Sequence, residues 1–558
     1  MNPSQYDVIV IGAGAGGGAS AFGLAEQGLR VLVLEAGPAY QPQRDYLLDK
    51  PQWELQQFPA QPDTEGRHSY AAMQALDPRR DHLRSHSHIH GFYNKSNHRE
   101  INGYQHVRGV GGSTLHFQGE AHRMHPDAMR LYSRFNVGID WPMDYADLEP
   151  YYSRVETIVG VAGPATDSMR PRRSPCPLPP HALSYASHHL ARGMERIGLR
   201  LVPNNLAVLS RPYDGRPPCN YCNNCHRGCP RTDKGSVDVT FIRKALATGR
   251  CKVHAGTQVV ALRAGNSDRV NSVHAVNSEG DLEEISVRAV IVACGAVETP
   301  RLLLASANVY APDGLANESG LVGRNLMETL SHAVAGLHSE PMGSWRGLPV
   351  DAICWDHNAP DAIPDVVGGC RYTPAASSMD LVGPVNYAQR AVPGWGHRHK
   401  DGMRRSFGHV LALGGIGEFL PNDGTYVDLD PRRKDAYGVP LARIHSLLTE
   451  MDLDRLSFMD RIMREGLDAA GVDRIIETVS TYDFFNTSHV FGTCRMGHDP
   501  AASVVDPYCR SHRWRNLFIL DGSVFPSSGS GESPSLTIEA LALRAADHIQ
   551  ELTVKKEL

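Results

Sequence analysis

Four cysteines stand at Cys219, Cys222, Cys225 and Cys229, and Pro230 follows the last of them. The spacing is C-x2-C-x2-C-x3-C-P, the run with which bacterial ferredoxins hold iron–sulfur clusters. Thiolates so spaced could hold an electron-transfer centre. A second chemical signature opens the chain. Gly12, Gly14 and Gly17 make a G-x-G-x-x-G, and an acid follows at Glu35. Such glycines permit a tight turn and close approach of backbone to a pyrophosphate at a helix N-terminus. The acid can accept hydrogen bonds from a ribose diol. This pattern alone does not separate FAD from NAD. Histidine offers a third chemistry, because an imidazole with a reference pKa of about 6.5 suits removal of a hydroxyl proton near neutral pH. With 27 histidines in the chain, only one with a defined context is informative.

The elements around these residues must position them. "DVIVIG" is a short β-branched run bounded by glycine and predicts a buried parallel strand. "ASAFGLAEQGL" has helix spacing, and "RVLVLE" predicts a second strand that ends in Glu35. This strand–glycine turn–helix–strand context is what turns the glycine motif into a dinucleotide-binding signal. Near the far end, "LFILDGS" predicts a strand leading to Asp521, and "SPSLTIEALALRAADHI" a helix. "DLDRLSFMDRIMREGLDAAGV" (452–472) predicts an amphipathic helix. The stretch 331–479 carries runs such as "AVPGWGHRHKDGM", punctuated by glycine and proline, and predicts an antiparallel sheet with long loops. The histidine group in "HLRSHSHIHGFYNKSNH" (82–98) has no organised carboxylate or cysteine beside it and reads as a polar loop.

Bulk properties exclude several classes. The 558 residues are 41% hydrophobic and 21% charged, ordinary for a globular protein of two to four domains. A formal net charge of -5 gives no reason to expect nucleic acid or an anionic membrane surface as partner. The other seven of the 11 cysteines are scattered, so the total does not read as a disulfide framework. No apolar run reaches the roughly 18 residues of a membrane span. The N-terminus "MNPSQYDVIVIGAGAGG" shows no basic n-region or cleavage site, and a cytoplasmic location is expected, with export bound to a signal-bearing partner left open.

The order of motifs is more specific than any one of them. The glycine turn is followed by "VGGSTLHFQG" (110–119), "GAVETPRLLLAS" (295–306), "GRNLMET" (323–329), "HVFGTCRMG" (489–497) and "LDGSVFP…SPSLTI". In this the chain resembles the glucose–methanol–choline (GMC) family of FAD-dependent oxidoreductases, and "RKDAYGVPLARI" (433–444) is similar to its bacterial sugar and polyol dehydrogenase branch. The resemblance implies an α/β protein: a GMC-type FAD-binding dinucleotide fold joined to a substrate domain on an antiparallel sheet. The FAD-binding portion is expected from 1–165, 235–330 and 480–558, a cysteine-rich excursion from 166–234, and the substrate domain from 331–479. Gly12, Gly14, Gly17 and Glu35 would hold the ADP half, and Gly111, Gly112 and Ser113 would lie along the pyrophosphate and isoalloxazine. Val259 would meet the adenine through its backbone, and Asp521 would sit near the ribityl and pyrophosphate region, a helix N-cap being its other reading. His489 stands where the family keeps its catalytic histidine. Ser533 stands where the family usually has His or Asn, so His489 would need another partner, or Ser533 through water; Glu532 is a further candidate, or else a surface acid at a helix start. His116 stands where some members join a histidine to the flavin and others only pack one.

The expected function is oxidation of a CH–OH group of a sugar, glycoside or polyol, with hydride transfer to flavin N5 and His489 as base. A non-sugar alcohol as substrate, or a GMC-like lyase with no net redox, is the alternative, and a flavoprotein that only transfers electrons is a third reading. The electron acceptor is left open among oxygen, a quinone and a partner protein. An iron–sulfur cluster on Cys219, Cys225 and Cys229, with Cys222 at a fourth corner, is one expectation for the cysteine run; paired thiols or a compact cysteine-lined turn is the other.

Overall fold

The computed structural model describes residues 6–46, 48, 54 and 67–558. Its first strand, β1 (Val8–Ile11), lies at the centre of a five-stranded parallel sheet. From one edge the order is Leu517–Ile519, Ala289–Val292, β1, β2 (Val31–Glu35) and Cys251–Ala255. Every neighbouring pair is parallel, with Val8 opposite both Val31 and Ala289. The middle strands are buried on both faces, as their unbroken apolar runs require. The sheet thus gathers segments from the start, middle and end of the chain.

Between β1 and β2 runs α1 (Ala15–Glu26), which packs against the C-terminal helix Ser535–Val554. Two glycines set the turn that starts α1. Gly12 has φ +95°, and a Cβ there would lie 2.5 Å from the Ala293 carbonyl oxygen. A Cβ on Gly17 would lie 1.9 Å from the Gly12 carbonyl oxygen, so only glycine lets α1 close onto the turn.

The second large sheet has six strands in the order Cys370–Pro374, Val410–Gly417, Leu330–His338, Val472–Ser480, His86–Ser87, Gly91–Phe92. Its pairings are antiparallel throughout. The expected antiparallel sheet is therefore present, and it also recruits a short hairpin from the histidine-rich stretch. The amphipathic helix runs Glu450–Ala469, opened by a Thr449–Asp452 capping box. It ends before residue 472 because Gly471 takes φ +86° and turns the chain into the Val472–Ser480 strand. The helix covers one face of this sheet, where Gly415 allows its Met459 to approach. On the other face Ala335, Val410, Ala412 and Ile476 pack with Tyr387, Ala391 and Val392. Among the described residues, no helix is long and apolar enough to cross a membrane.

Gly17→Ala is expected to destabilise the protein by roughly 1–3 kcal/mol, the usual range for overpacking, and to lower flavin retention. Thermal unfolding and flavin content of the purified variant measure both. Wild-type values for the two would contradict the close approach of α1 to the Gly12 turn.

Candidate active site

A cavity of about 720 Å³ lies between the two sheets. Gly12, Gly14, Glu35, Val259 and Asp521 line it on the parallel-sheet side. The α1 N-terminus opens onto it with no side-chain cap and no acid in its first turn, so its unpaired N–H groups are available to an anion. Gly14 and Gly112 face each other across its floor: a Cβ on Gly112 would lie 2.7 Å from the Gly14 Cα. An uncapped helix start, a glycine cradle and a volume of this size fit a dinucleotide such as FAD. Gly17 and Gly111 serve the cradle from behind. Gly17 packs on the Gly12 carbonyl, and Gly111, at φ +113°, donates its N–H to the Ala13 carbonyl oxygen at 2.9 Å.

Glu35 does more than the expected acceptance from a ribose. Its carboxylate accepts the backbone N–H of Ala13 at 2.8 Å, Gly37 at 2.8 Å and Gly109 at 3.1 Å. Burial pushes its pKa up, against the pull of those three bonds. Asp521 takes the N-cap role the sequence allowed, accepting the Ser523 N–H at 2.8 Å. It also accepts from Gly295 N at 2.9 Å and Thr299 Oγ1 at 2.5 Å, which ties the last strand to the Gly295–Ala305 helix. Ser113 and His116 line the cavity from the short helical turn Gly112–Leu115 and its end. Burial lowers the His116 pKa to about 4, and the nearby charges of Lys234, His226 and His489 push the same way.

His489 and Ser533 line the same cavity. The backbone of His489 is clamped: its N–H donates to Thr329 Oγ1 at 2.9 Å, and the hydroxyls of Thr329 and Thr487 donate to its carbonyl oxygen at 3.3 and 3.2 Å. Among the described residues no hydrogen bond holds its ring. Burial lowers its pKa to about 4, aided by the positive charge of Arg371 and opposed by Glu120. The imidazole is therefore neutral at ordinary pH.

Two residues beside it, Glu120 and Arg371, carried no motif that sequence reading could use. Arg371 Nη2 donates to Glu120 Oε2 at 2.6 Å, and both side chains line the cavity. Ser533 Oγ donates to the same carboxylate oxygen at 2.9 Å. Burial pushes the Glu120 pKa up, but Arg371, His122, the Ser533 hydroxyl and His489 together take it down to about 2. Their only sequence signal was indirect: a serine in place of His or Asn asked for a partner. Glu532 is not that partner, nor a surface acid. It is buried, accepts from Arg170 Nη2 at 2.6 Å and from the His125 N–H at 3.1 Å, and serves as one half of an internal ion pair.

The cysteine run forms an irregular turn around a short 3-10 helix at Cys225–Arg227. Cys225 is buried and Cys222 exposed, and all four cysteines are free thiols. Cys229 Sγ points to Asp233 Oδ1 at 3.2 Å, and Cys219 Sγ accepts the Tyr221 N–H at 3.3 Å. Among the described residues, no group of three or more His, Cys, Asp or Glu is arranged to hold a metal ion. The expectation of an iron–sulfur cluster on Cys219, Cys222, Cys225 and Cys229 finds no support in this geometry. What joins the run to the cavity is Lys234. Its buried Nζ donates to the carbonyls of Cys225 at 2.6 Å and of Leu115 and Phe117 at 2.9 Å each, on either side of His116.

Comparison with known proteins agrees with this arrangement. A family model described as GMC oxidoreductase matches residues 105–331 and 421–542, and one described as FAD binding domain matches 7–45. The chain is 31% identical to the fructose dehydrogenase large subunit of Gluconobacter japonicus, over 97% of each chain. It is 29% identical to the 2-methyl-1,2-propanediol dehydrogenase of Mycolicibacterium austroafricanum, over 98% of this chain and 95% of that one. It is 31% identical to the 6'''-hydroxyparomomycin C oxidase of Streptomyces lividus, over 97% and 90%. Among solved structures it is similar in fold to pyridoxine 4-oxidase from Mesorbium loti, with a TM-score of 0.62 at 18% identity over 98% of this chain and 99% of that one. The chain belongs to the GMC oxidoreductase family. It is an FAD-dependent enzyme acting on CH–OH donors, a dehydrogenase or oxidase.

Lys234→Met is expected to cost on the order of 3 kcal/mol, because three buried carbonyls lose their donor. Flavin retention should fall with it, since two of those carbonyls flank His116. Unfolding of the holoenzyme and its flavin content measure this; an unchanged variant would contradict the tie between the cysteine turn and the cavity wall.

Proposed function

We propose that the enzyme oxidises a CH–OH group of a sugar, glycoside or polyol, with His489 taking the hydroxyl proton. The observation that carries this reading is a neutral imidazole lining the same cavity as the glycine cradle. Bound FAD supplies the hydride acceptor at N5. Gly12, Gly14, Glu35 and Val259 would form the ADP end of its site, backed by Gly17, and Gly112, Ser113, His116 and Asp521 the walls nearer the flavin ring, backed by Gly111. Relatives named for fructose, a propanediol and an aminoglycoside oxidation support a hydroxyl-rich substrate.

The residues divide the work as follows. The threonine clamp on its backbone fixes where His489 sits, while its ring stays free to meet a ligand. Removing the hydroxyl proton as the hydride leaves carbon avoids a charged intermediate, and a positioned base usually contributes 10²- to 10⁴-fold. As the ring takes that proton it becomes a cation, and the Glu120 carboxylate favours it while Arg371 opposes it. The pair adds no net charge of its own before or after transfer.

His489→Ala is expected to lose on the order of 10²- to 10⁴-fold in the rate of flavin reduction by substrate while keeping its flavin. Near-normal reduction would remove His489 from the mechanism. The pH profile is a second test. Neutral imidazole is the competent form, so kcat/KM should fall as pH drops through about 4 and stay level from there to neutrality. An acid limb near the free-histidine value of about 6.5 would contradict the enclosed, neutral base.

A further inference from the structure

Ser533 has a single hydroxyl proton, and its direction is set. Oγ donates to Glu120 Oε2, an oxygen that Arg371 Nη2 holds at 2.6 Å from the other side. A carboxylate so paired can only accept, so the Ser533 oxygen presents lone pairs, and no proton, to the cavity. The groups around it are engaged as well. The Ser533 N–H donates to His122 Nδ1 at 3.2 Å, which leaves the His122 proton on Nε2, facing Asn204 Oδ1 at 2.9 Å. Asn204 Nδ2 donates to Val350 O at 3.0 Å and to Glu120 Oε1 at 3.3 Å. Arg371 gives its Nε to Gly531 O at 3.0 Å and its Nη1 to Thr373 Oγ1 at 3.1 Å. Each nitrogen and hydroxyl donor named here has an acceptor inside the protein, and Arg371 keeps one further N–H on each of Nη1 and Nη2.

We propose that Glu120, acting through Ser533, makes the cavity wall beside His489 a hydrogen-bond-accepting site for a second, free hydroxyl of the substrate. The substrate class that follows is a diol or polyol, one hydroxyl to be oxidised and another to donate to Ser533. Glu120 is a positioning residue: it orients Ser533 and touches no substrate. The inference rests on the reading of His489 as base in the same cavity and adds which way the hydrogen bond runs. A substrate atom that can only accept meets lone pair against lone pair at Ser533. A buried polar group left without its partner is disfavoured by roughly 1–3 kcal/mol.

The test compares a diol with its monomethyl ether, in which the second oxygen can accept but not donate, as reductants of the enzyme-bound flavin. Wild type should favour the diol by at least about tenfold in kcat/KM, with most of the difference in KM. In Glu120→Ala the acceptor is gone and the Ser533 proton is free to turn to the cavity, so the preference should shrink or invert. Flavin content and thermal unfolding check that this variant is folded. Ser533→Ala should use the two compounds about equally, both less well than wild type uses the diol. Equal use of diol and ether by wild type would overturn the inference, and so would an unchanged preference in Ser533→Ala. The first of these leaves alcohol oxidation standing. A wild type whose flavin is reduced by neither compound would instead overturn the alcohol-oxidation reading and this inference together.

Discussion

The Glu35 carboxylate accepts backbone N–H groups from three separate segments, at Ala13, Gly37 and Gly109, and the cavity floor takes its form from that convergence. Ala13 belongs to the turn after β1, Gly37 follows β2, and Gly109 leads into the Gly111–Gly112 turn. One buried acid therefore fixes the distance between the two glycine turns that face each other across the floor. The Gly14–Gly112 approach needs that distance held: with a Cβ on Gly112 only 2.7 Å from the Gly14 Cα, there is no slack for drift. Asp521 performs a similar service from the last strand, joining Gly295, Thr299 and Ser523. Both acids carry raised pKa values because burial costs them more than their hydrogen bonds return. They hold geometry first, at some cost in stability.

The opposite wall works through the same kind of economy of charge. His489 is neutral, Glu120 anionic and Arg371 cationic, so this wall of the cavity carries a matched ion pair beside a neutral imidazole. A lone carboxylate there would raise the pKa of His489, and a lone guanidinium would lower it further. Held together at 2.6 Å, they leave the His489 imidazole tuned mainly by burial. Lys234 extends the network outward, since it closes carbonyls on both sides of His116 and anchors the cysteine turn behind them. Through Cys225 the cysteine turn is tied to that wall.

The glycine turn, Glu35, the terminal strand and His489 were legible in the sequence because each depends on local spacing or on a place in an ordered set of motifs. Period and turn chemistry also gave the parallel strands and the antiparallel sheet, whose physics is local. What could not be read was set by tertiary assembly. Glu120 and Arg371 lie far apart in the chain and come together only when the strand Cys370–Pro374 meets the segment after the Gly112–Leu115 turn. Glu532 looked like a candidate or a surface acid because nothing nearby in sequence showed Arg170 folding over it. The hairpin at His86–Ser87 and Gly91–Phe92 joins the second sheet through Val472–Ser480, a pairing that spacing within the histidine stretch does not encode.

The central claim is that an alcohol bound in this one cavity gives its carbon-bound hydrogen to the flavin while His489 removes the hydroxyl proton. Anaerobic mixing of the purified holoenzyme with a polyol, and with the same polyol carrying deuterium on the reacting carbon, tests it most directly. The account predicts that the flavin colour bleaches in the absence of oxygen and that deuterium slows the bleaching. Product formed while the flavin stays fully oxidised, with no isotope effect, would contradict it.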